Sequence, residues 1–482
     1  MENIAAYLKE KYGQWGWMGQ RAHDAVGINK VLPLDFIICC DFGTDTPHYF
    51  EENNVFSVEK NNKVRKDWSN EDLKASFEGP LGNEIFTRWK KRKEKINLLC
   101  YRSIEFLEKK GTKYAAPKIY AVPEKLKKHF DNKVRLYENL PNLRLSRIPG
   151  EIGATGKNSF ENLKKKLSLP FVVQFPYGSS GHFTFIIHDE NEYAELQKKY
   201  PDTNVVIRKY VDGFSLNVNA VVVSTDTGPK TVCSFPSIQI TGLAECSNFP
   251  SAFCGNDYSA ACSLNKDIID QVERQVEKIG SWMAEAGYRG IFGMDFVAEG
   301  EKVYPVEINP RFQNSTSLFN AISAGRADCG ENMLFMLHVA EFLQEEDKHI
   351  KEYLNNFPFS SLMAPLDGAQ VILHNAMDHN TMAQSVVSGA YRLVKDTLLL
   401  IKKGASFDAL SDSRDILITC GVPRINTVIE PNAPICKVQL LRSALDAGNK
   451  RQLSAEMKRI VPEIYNMFGL KNRNNVFVPG MN

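Results

Sequence analysis

The segment that most constrains this chain is Glu307-Ile308-Asn309-Pro310-Arg311, which ends an apolar run starting near residue 302. Side chains of a β-strand alternate between two faces, so Glu307 and Asn309 should share one face. A second apolar segment, residues 292–296, contains Asp295. If an odd number of residues, such as residues 299–301, connects the two strands, all three side chains should lie on one face of a hairpin. A slip of one residue would separate them.

These three side chains predict a metal site. Two carboxylates and an amide oxygen, with no histidine or cysteine, are typical ligands of Mg²⁺ and also suit Mn²⁺. The alternative is the solvated face of an antiparallel hairpin. The flanking apolar residues and the Pro310-Arg311 continuation favour the metal site over that alternative.

A second motif, Gly178-Ser179-Ser180-Gly181, follows the apolar segment 171–174. Two glycines allow the backbone to approach a ligand closely, and the serines add hydroxyl donors, as in loops that surround phosphate. Taken alone, the motif is explained better as an exposed hairpin turn, because short glycine motifs recur by chance. In combination with the metal site, it indicates ATP-dependent chemistry.

Composition limits the protein class. The chain has 482 residues, a formal net charge of +2 and 43% hydrophobic residues, which predicts about three globular domains and no nucleic-acid partner. The basic run 88–95 is interpreted as a solvated helix face, since Trp89 is its one aromatic residue. Ten cysteines without CxxC pairs indicate a reducing compartment. With no signal-peptide pattern and no long apolar stretch, we expect a cytoplasmic protein without membrane contact.

The pattern along the chain changes twice. Strand-like and helix-like segments alternate over residues 1–135, where apolar spacing predicts an amphipathic helix over residues 91–109. Residues 136–330 contain long β segments, a hairpin around residues 224–230 and a helix over residues 266–286. Residues 331–482 restart with a helix and short strands, which predicts an α+β unit.

The order of these segments resembles the ATP-grasp superfamily over residues 118–325, most specifically over residues 290–311. Phe130-Asp131-Asn132-Lys133 resembles the step that opens the nucleotide-binding region of that family. The resemblance implies an α/β and α+β multidomain fold. It would consist of a pre-ATP-grasp α/β domain (1–135), an ATP-grasp nucleotide clamp of two subdomains (136–330) and a C-terminal α+β lid-like domain (331–482).

The resemblance also implies roles for individual residues. Lys133 would contact an ATP phosphate, and Gly178, Ser179, Ser180 and Gly181 would cover the β- and γ-phosphates. Adenine would be held by Lys209, Tyr210 and Val211. Arg311 would neutralise charge on the transferred phosphoryl group, with Arg289 as a second candidate. The chain departs from the common family residues at four places. Gln174 stands for a lysine, Arg208 for a hinge glutamate and Ser215 for a further glutamate, and His182-Phe183 fill a position that is often glycine.

The implied reaction is ATP-dependent ligation of a carboxylate to an amine through an acyl phosphate, with release of ADP and phosphate. Amino acids or a short peptide are the expected substrates, residues 233–262 the expected acceptor pocket, and a homodimer the expected assembly. Three alternatives stay open: a biotin-carboxylase-like subunit, an ATP-grasp kinase and a non-catalytic nucleotide-binding module. A biotin-bearing Met-Lys-Met segment is absent from this chain, so the first alternative would require a partner.

Overall fold

The computed structural model describes residues 4–12, 14–28, 32, 34–91, 96–105, 107, 117–178, 183–324 and 333–470. Within these residues, three successive regions of the chain build three main sheets. The first sheet is parallel, whereas the second and third are antiparallel. The predicted combination of α/β and α+β architecture is therefore confirmed.

The N-terminal region folds around a five-stranded parallel sheet with the strand order β3-β2-β1-β5-β6. The first six strands are β1 Trp15–Met18, β2 Leu34–Cys39, β3 Val55–Ser57, β4 Val64–Arg65, β5 Asn97–Cys100 and β6 Lys118–Tyr120. Alternating side chains of β1 enter two cores, Trp15 and Trp17 on one face and Met18 on the other. The crossovers and flanking segments contain helices at Ile4–Lys11, Thr46–Tyr49, Val58–Asn62, Asn70–Glu78 and Pro80–Lys91.

The helix predicted over residues 91–109 is wrong at residues 97–100, and its residues 92–95, 106 and 108–109 lie outside the described residues. A helix ends at Lys91, and β5 occupies Asn97–Cys100 in the middle of the parallel sheet. Strands buried on both faces are continuously apolar, so Leu98 and Leu99 both lie in cores although they point in opposite directions. Periodicity alone cannot separate such a run from a buried helix.

Two short helices, Glu124–Phe130 and Lys133–Asn139, lead into a four-stranded antiparallel sheet with the order β7-β10-β8-β9. Its strands are β7 Gly150–Ala154, β8 Phe171–Gln174, β9 Thr184–Ile187 and β10 Asn204–Lys209. The helices Phe160–Leu167 and Glu190–Lys199 bury Phe160 and Tyr193 against Phe171. This sheet forms one wall of the cleft described below.

The third sheet has eleven strands and provides the opposite wall. Its order is β16-β15-β11-β13-β14-β17-β23-β21-β19-β20, with β12 paired to β11. The strands are β11 Phe214–Thr225, β12 Gly228–Cys233, β13 Ser237–Thr241, β14 Phe253–Asp257, β15 Gly290–Glu299, β16 Lys302–Asn309, β17 Ala369–His374, β19 Gly389–Val394, β20 Thr397–Lys403, β21 Ile416–Thr419 and β23 Pro434–Leu440. The predicted hairpin around residues 224–230 is β11 and β12.

Pairing of β14 with β17 carries this sheet across residue 330, and the predicted domain limits stay predictions. The short strands β18 Thr381–Met382 and β22 Val428–Ile429 form a small sheet with β4, which joins the N- and C-terminal regions. The remaining helices are Tyr258–Ala261, Lys266–Glu285, Asn314–Ser323, Met333–Leu343, Lys348–Asn355 and Ala455–Met467. Among the described residues, no helix combines the length and the apolar composition that crossing a membrane requires.

Candidate active site

The hairpin of β15 and β16 brings the three predicted metal ligands onto one face. Asp295 is paired directly with Glu307, and Gly293 with Asn309. The strands turn through two residues, since Glu299 pairs with Lys302, so the loop is not the odd-numbered one expected from the sequence. A β-bulge between Asp295 and Phe296 restores the parity by inserting one extra residue into β16. The predicted common face is therefore confirmed, but for a different reason.

Amide groups hold the carboxylate of Asp295 in place. Asn217 Nδ2 donates to Asp295 Oδ1 at 2.6 Å, and Asn309 Nδ2 donates to Asp295 Oδ2 at 3.0 Å. Asn217 itself is held by Ser315 and Gln313. Burial and the nearby negative charge of Glu307 raise the pKa of Asp295 to about 6, although both amide hydrogen bonds act in the opposite direction. The site thus concentrates negative charge that a cation would relieve.

Glu307 already has one cation beside it. The Lys133 ammonium lies 2.8 Å from Glu307 Oε1 and donates to the Gly178 carbonyl oxygen at 3.0 Å. The backbone N–H of Lys133 also donates to the carbonyl of Pro176. Lys133 is almost fully buried, so its side chain connects the metal-site hairpin to the start of the predicted phosphate loop.

Arg311 is fixed by its neighbours. Its guanidinium donates to Asn309 Oδ1 at 2.9 Å and to the Phe312 carbonyl at 3.0 Å, and it lies 5.8 Å from the ring centroid of Tyr101. Tyr101 directly follows β5, so the N-terminal sheet contributes to this edge of the site. These contacts hold the Arg311 side chain in one conformation, so its positive charge lies beside the three ligands.

A cleft of about 540 Å³ lies between the second and third sheets. The residues predicted from the sequence that line it are Gln174, Arg208, Lys209, Tyr210, Val211, Ser215, Asp295, Glu307, Asn309 and Arg311. Arg208 is buried, which lowers its pKa to about 10 in spite of Tyr137 and Glu307 nearby. Gln174 is also buried, and its amide lies 3.4 Å from the Thr184 hydroxyl.

One predicted residue lies elsewhere, and three lie outside the described residues. Arg289 is not brought to the cleft: it precedes β15 at the far end of the strand and forms an ion pair with Glu345. Of the predicted phosphate loop, Gly178 is described, whereas Ser179, Ser180 and Gly181 lie outside the described residues. Three stretches of the expected acceptor segment 233–262 contribute to the lining, at residues 239–243, 250–251 and 253.

Some lining residues were not predicted from the sequence. Asn217 holds Asp295, and Gln313 donates to the Val218 carbonyl beneath it. Lys450 and Arg451 reach the cleft from the C-terminal region, far along the chain from the hinge Lys209–Val211. No local motif marks these residues, because their positions depend on how distant segments pack.

Comparison with known proteins agrees with this geometry. A family model described as the ATP-grasp domain matches residues 130–315. This segment is an ATP-grasp domain. It contains Lys133, the hinge and all three candidate metal ligands, so the resemblance expected from the sequence is confirmed.

The curated relatives share less of the chain. The carbamoyl phosphate synthase large chain of Vibrio cholerae is 24% identical over 156 residues, covering 30% of this chain and 13% of that protein. The corresponding chain of Buchnera aphidicola is 22% identical over 231 residues, covering 44% of this chain and 20% of that protein. The match thus spans a fifth or less of these relatives.

Solved structures resemble the chain over most of its length. Biotin carboxylase from Campylobacter jejuni, in a β,γ-ATP complex, has a TM-score of 0.56 at 11% identity and covers 89% of this chain and 87% of its own. Carboxyaminoimidazole ribonucleotide synthase from Aspergillus clavatus, complexed with ATP, has a TM-score of 0.52 at 12% identity, covering 95% and 99% respectively. At these identities the likeness shows the fold alone.

Proposed function

We propose that this protein is an ATP-dependent ligase that joins a carboxylate to an amine through an acyl phosphate, releasing ADP and phosphate. The observation that carries the proposal is the common face of Asp295, Glu307 and Asn309, which opens into the cleft beside Arg311 and the hinge Lys209–Val211. A metal-binding face, an arginine and a strand-end hinge around one cleft match the needs of phosphoryl transfer from a nucleotide.

The residues present fit Mg²⁺ or Mn²⁺. The donors are oxygens, and the two carboxylates are close enough for Glu307 to raise the pKa of Asp295. Lys133 now pairs with Glu307, and a metal ion would replace it there. Among the described residues, no group of three or more histidine, cysteine, aspartate or glutamate side chains could hold a metal, so this site depends on the amide of Asn309 as its third ligand. Bound there, the ion would neutralise charge on the phosphates of ATP.

The residues in and beside the cleft then have distinct tasks. Lys133 supplies an ammonium that can turn from Glu307 towards a phosphate. Covering the β- and γ-phosphates is the role that the family resemblance implies for residues 178–181. Backbone groups of Lys209 and Val211 hold adenine, with Tyr210 between them. Arg311 stabilises the negative charge of the phosphoryl group in transit.

The reaction has two balanced steps. An oxygen of the substrate carboxylate attacks the γ-phosphorus, and the bond from that phosphorus to the β–γ bridging oxygen breaks, which gives an acyl phosphate and ADP. The amine then attacks the acyl carbon, phosphate leaves with its electron pair, and the amine proton goes to solvent. Exclusion of water by the closed cleft would protect the acyl phosphate between the two steps.

The names of the curated relatives support this chemistry. Carbamoyl phosphate is itself an acyl phosphate, although those relatives match over a small share of their length. Amino acids or a short peptide as substrates, a homodimer as the assembly and a cytoplasmic location are further parts of the proposal.

The test is ADP release measured against a matrix of amino acids offered as acid and as amine, followed by mass spectrometry of the products. A product whose mass equals the acid plus the amine minus water supports the ligase. ADP release that requires bicarbonate or a hydroxyl acceptor instead would favour the carboxylase or the kinase, and nucleotide binding without turnover would favour the non-catalytic module.

A further inference from the structure

A row of buried polar side chains crosses the third sheet on the face that carries Asp295, several strands away from that residue. Directly paired residues of neighbouring antiparallel strands point to the same face, and Asn256 pairs with Gln370, which pairs with Gln439. Lys437 lies two residues before Gln439 and therefore shares this face. All four side chains are at most 5% exposed, which is unusual for the middle of a sheet.

The segment that follows β1 covers this face. Arg21 Nη1 donates to Asn314 Oδ1 at 2.7 Å, and Gln370 Nε2 donates to the Asn314 carbonyl at 3.1 Å. Burial lowers the pKa of Lys437, and the charge of Arg21 lowers it further, whereas Cys420, Asp24 and Asp41 act in the opposite direction. Asn314 also lines the cleft, so the contact between this segment and the sheet adjoins the candidate active site.

Besides the ring nitrogens of His23, three groups at this contact lack hydrogen-bond partners within the described part of the chain. They are Lys437 Nζ, Asp24 Oδ1 and Gln370 Oε1, on side chains of residues that are 2%, 4% and 0% exposed. His23 Nε2 lies 3.7 Å from Asp24 Oδ1, beyond hydrogen-bond distance. Buried groups of this kind are costly when unpaired, and they are found mostly where a ligand or a functional constraint accounts for them.

We infer that Asp24, Gln370 and Lys437 form a compartment that binds a small zwitterion, with the ammonium of the ligand on Asp24 and Gln370 and its carboxylate on Lys437. The orphaned atoms offer one cation for a carboxylate and two acceptors for an ammonium, which is the recognition pattern of an α-amino acid. The inference rests on the proposed function, because it makes this molecule a substrate of the ligase.

The two charges of the ligand are engaged in the compartment and do not react there. The reacting carboxylate or amine is therefore a third group of the molecule, which extends past Asn314 towards Arg311. This narrows the substrate class to amino acids with a reactive side chain.

The test is isothermal titration of the full-length protein, without ATP, with each proteinogenic L-amino acid in turn. For every amino acid that binds, the carboxamide and the des-amino analogue are titrated as well. We expect an amino acid with a carboxylate or amine side chain to bind, and Lys437→Met to weaken its binding about ten- to a hundredfold, the usual effect of a lost charge-assisted hydrogen bond. The carboxamide should bind wild type and Lys437→Met equally, and the des-amino analogue should bind wild type and Asp24→Asn equally.

Lys403→Met is the matched control, since Lys403 is an exposed lysine of the same sheet. Lys437→Met should keep or raise the melting temperature, because it removes a buried charge without a partner. The carboxamide titration of the wild type tests the carboxylate contact even if that variant fails to fold.

Binding of no amino acid, or equal weakening by Lys403→Met, would overturn the inference. If acid- and amine-dependent ADP release is found without such binding, the ligase stands and the compartment does not. If binding depends on the two charges but no substrate pair gives ADP release, the compartment is supported and the ligase function is refuted.

Discussion

Lys133 provides the sharpest test of the nucleotide site. Its ammonium donates to Glu307 and to the Gly178 carbonyl, at 2.8 and 3.0 Å. In the ATP complex, we expect the same ammonium to donate to a phosphate oxygen. A hydrogen bond between charged groups contributes ~1.5–3 kcal/mol, so Lys133→Met should weaken ATP binding about ten- to a hundredfold.

The same substitution should have the opposite effect on the affinity for the metal ion. Removing the ammonium leaves Glu307 without the cation that competes for its carboxylate. Binding of Mn²⁺ in the absence of ATP should therefore tighten in Lys133→Met, or stay unchanged, while ATP binding weakens. Mn²⁺ can be followed by electron paramagnetic resonance, and ATP with Mg²⁺ by isothermal titration calorimetry.

Lys165→Met is the control, because Lys165 is an exposed lysine on the helix Phe160–Leu167. Circular dichroism should show both variants folded, since Glu307 keeps access to solvent. An unchanged affinity for ATP in Lys133→Met, or parallel loss of ATP and Mn²⁺ binding, would refute the assigned role of Lys133.

Three further predictions concern the hairpin, the arginine and the fold. Glu307→Gln and Asn309→Ala should abolish ADP release yet leave the melting temperature within a few degrees of wild type, and ADP release near the wild-type rate would remove the metal assignment. Arg311→Ala should suppress turnover at least a hundredfold, whereas Arg289→Ala should retain it, because only the first guanidinium borders the cleft. Burial raises the pKa of Asp347. Hydrogen bonds from Lys11, Tyr12 and Tyr7 outweigh this effect, so that pKa is well below its usual value. A depressed carboxyl pKa stabilises the fold above about pH 4, and this contribution is lost on acidification. Asp347→Asn should therefore lower the free energy of unfolding by ~1–3 kcal/mol at pH 7, and chemical denaturation should show the difference shrinking below pH 4.

The metal hairpin could be predicted from the sequence because the strand period is two. Residues 307 and 309 must share a face whatever the surroundings, and this part of the prediction depended on nothing else. The position of Asp295 did depend on the register, which a bulge that has no sequence signature corrected. Asp295 therefore shares the predicted face because the two-residue turn and the bulge each shift the register by one residue, and the two shifts cancel.

Other features depend on tertiary packing. The helix expected over residues 91–109 is instead a buried parallel strand, because an apolar run of that length fits either structure. Arg289 was inferred from its closeness to β15 in sequence, but it emerges at the end of that strand remote from the ligands and pairs with Glu345. Asn217 and Lys437 carry no local pattern, and only the pairing of distant strands reveals what they face.

The measurement that tests the central claim most directly is the stoichiometry of ADP and phosphate release, with hydroxylamine as an interceptor. If the protein is a carboxylate–amine ligase, ADP and phosphate should appear in equal amounts when both an acid and an amine are supplied. With the acid and hydroxylamine alone, a hydroxamate should accumulate, because this small nucleophile attacks the acyl phosphate. ADP release that is independent of any carboxylate, or that yields no hydroxamate, would contradict the account.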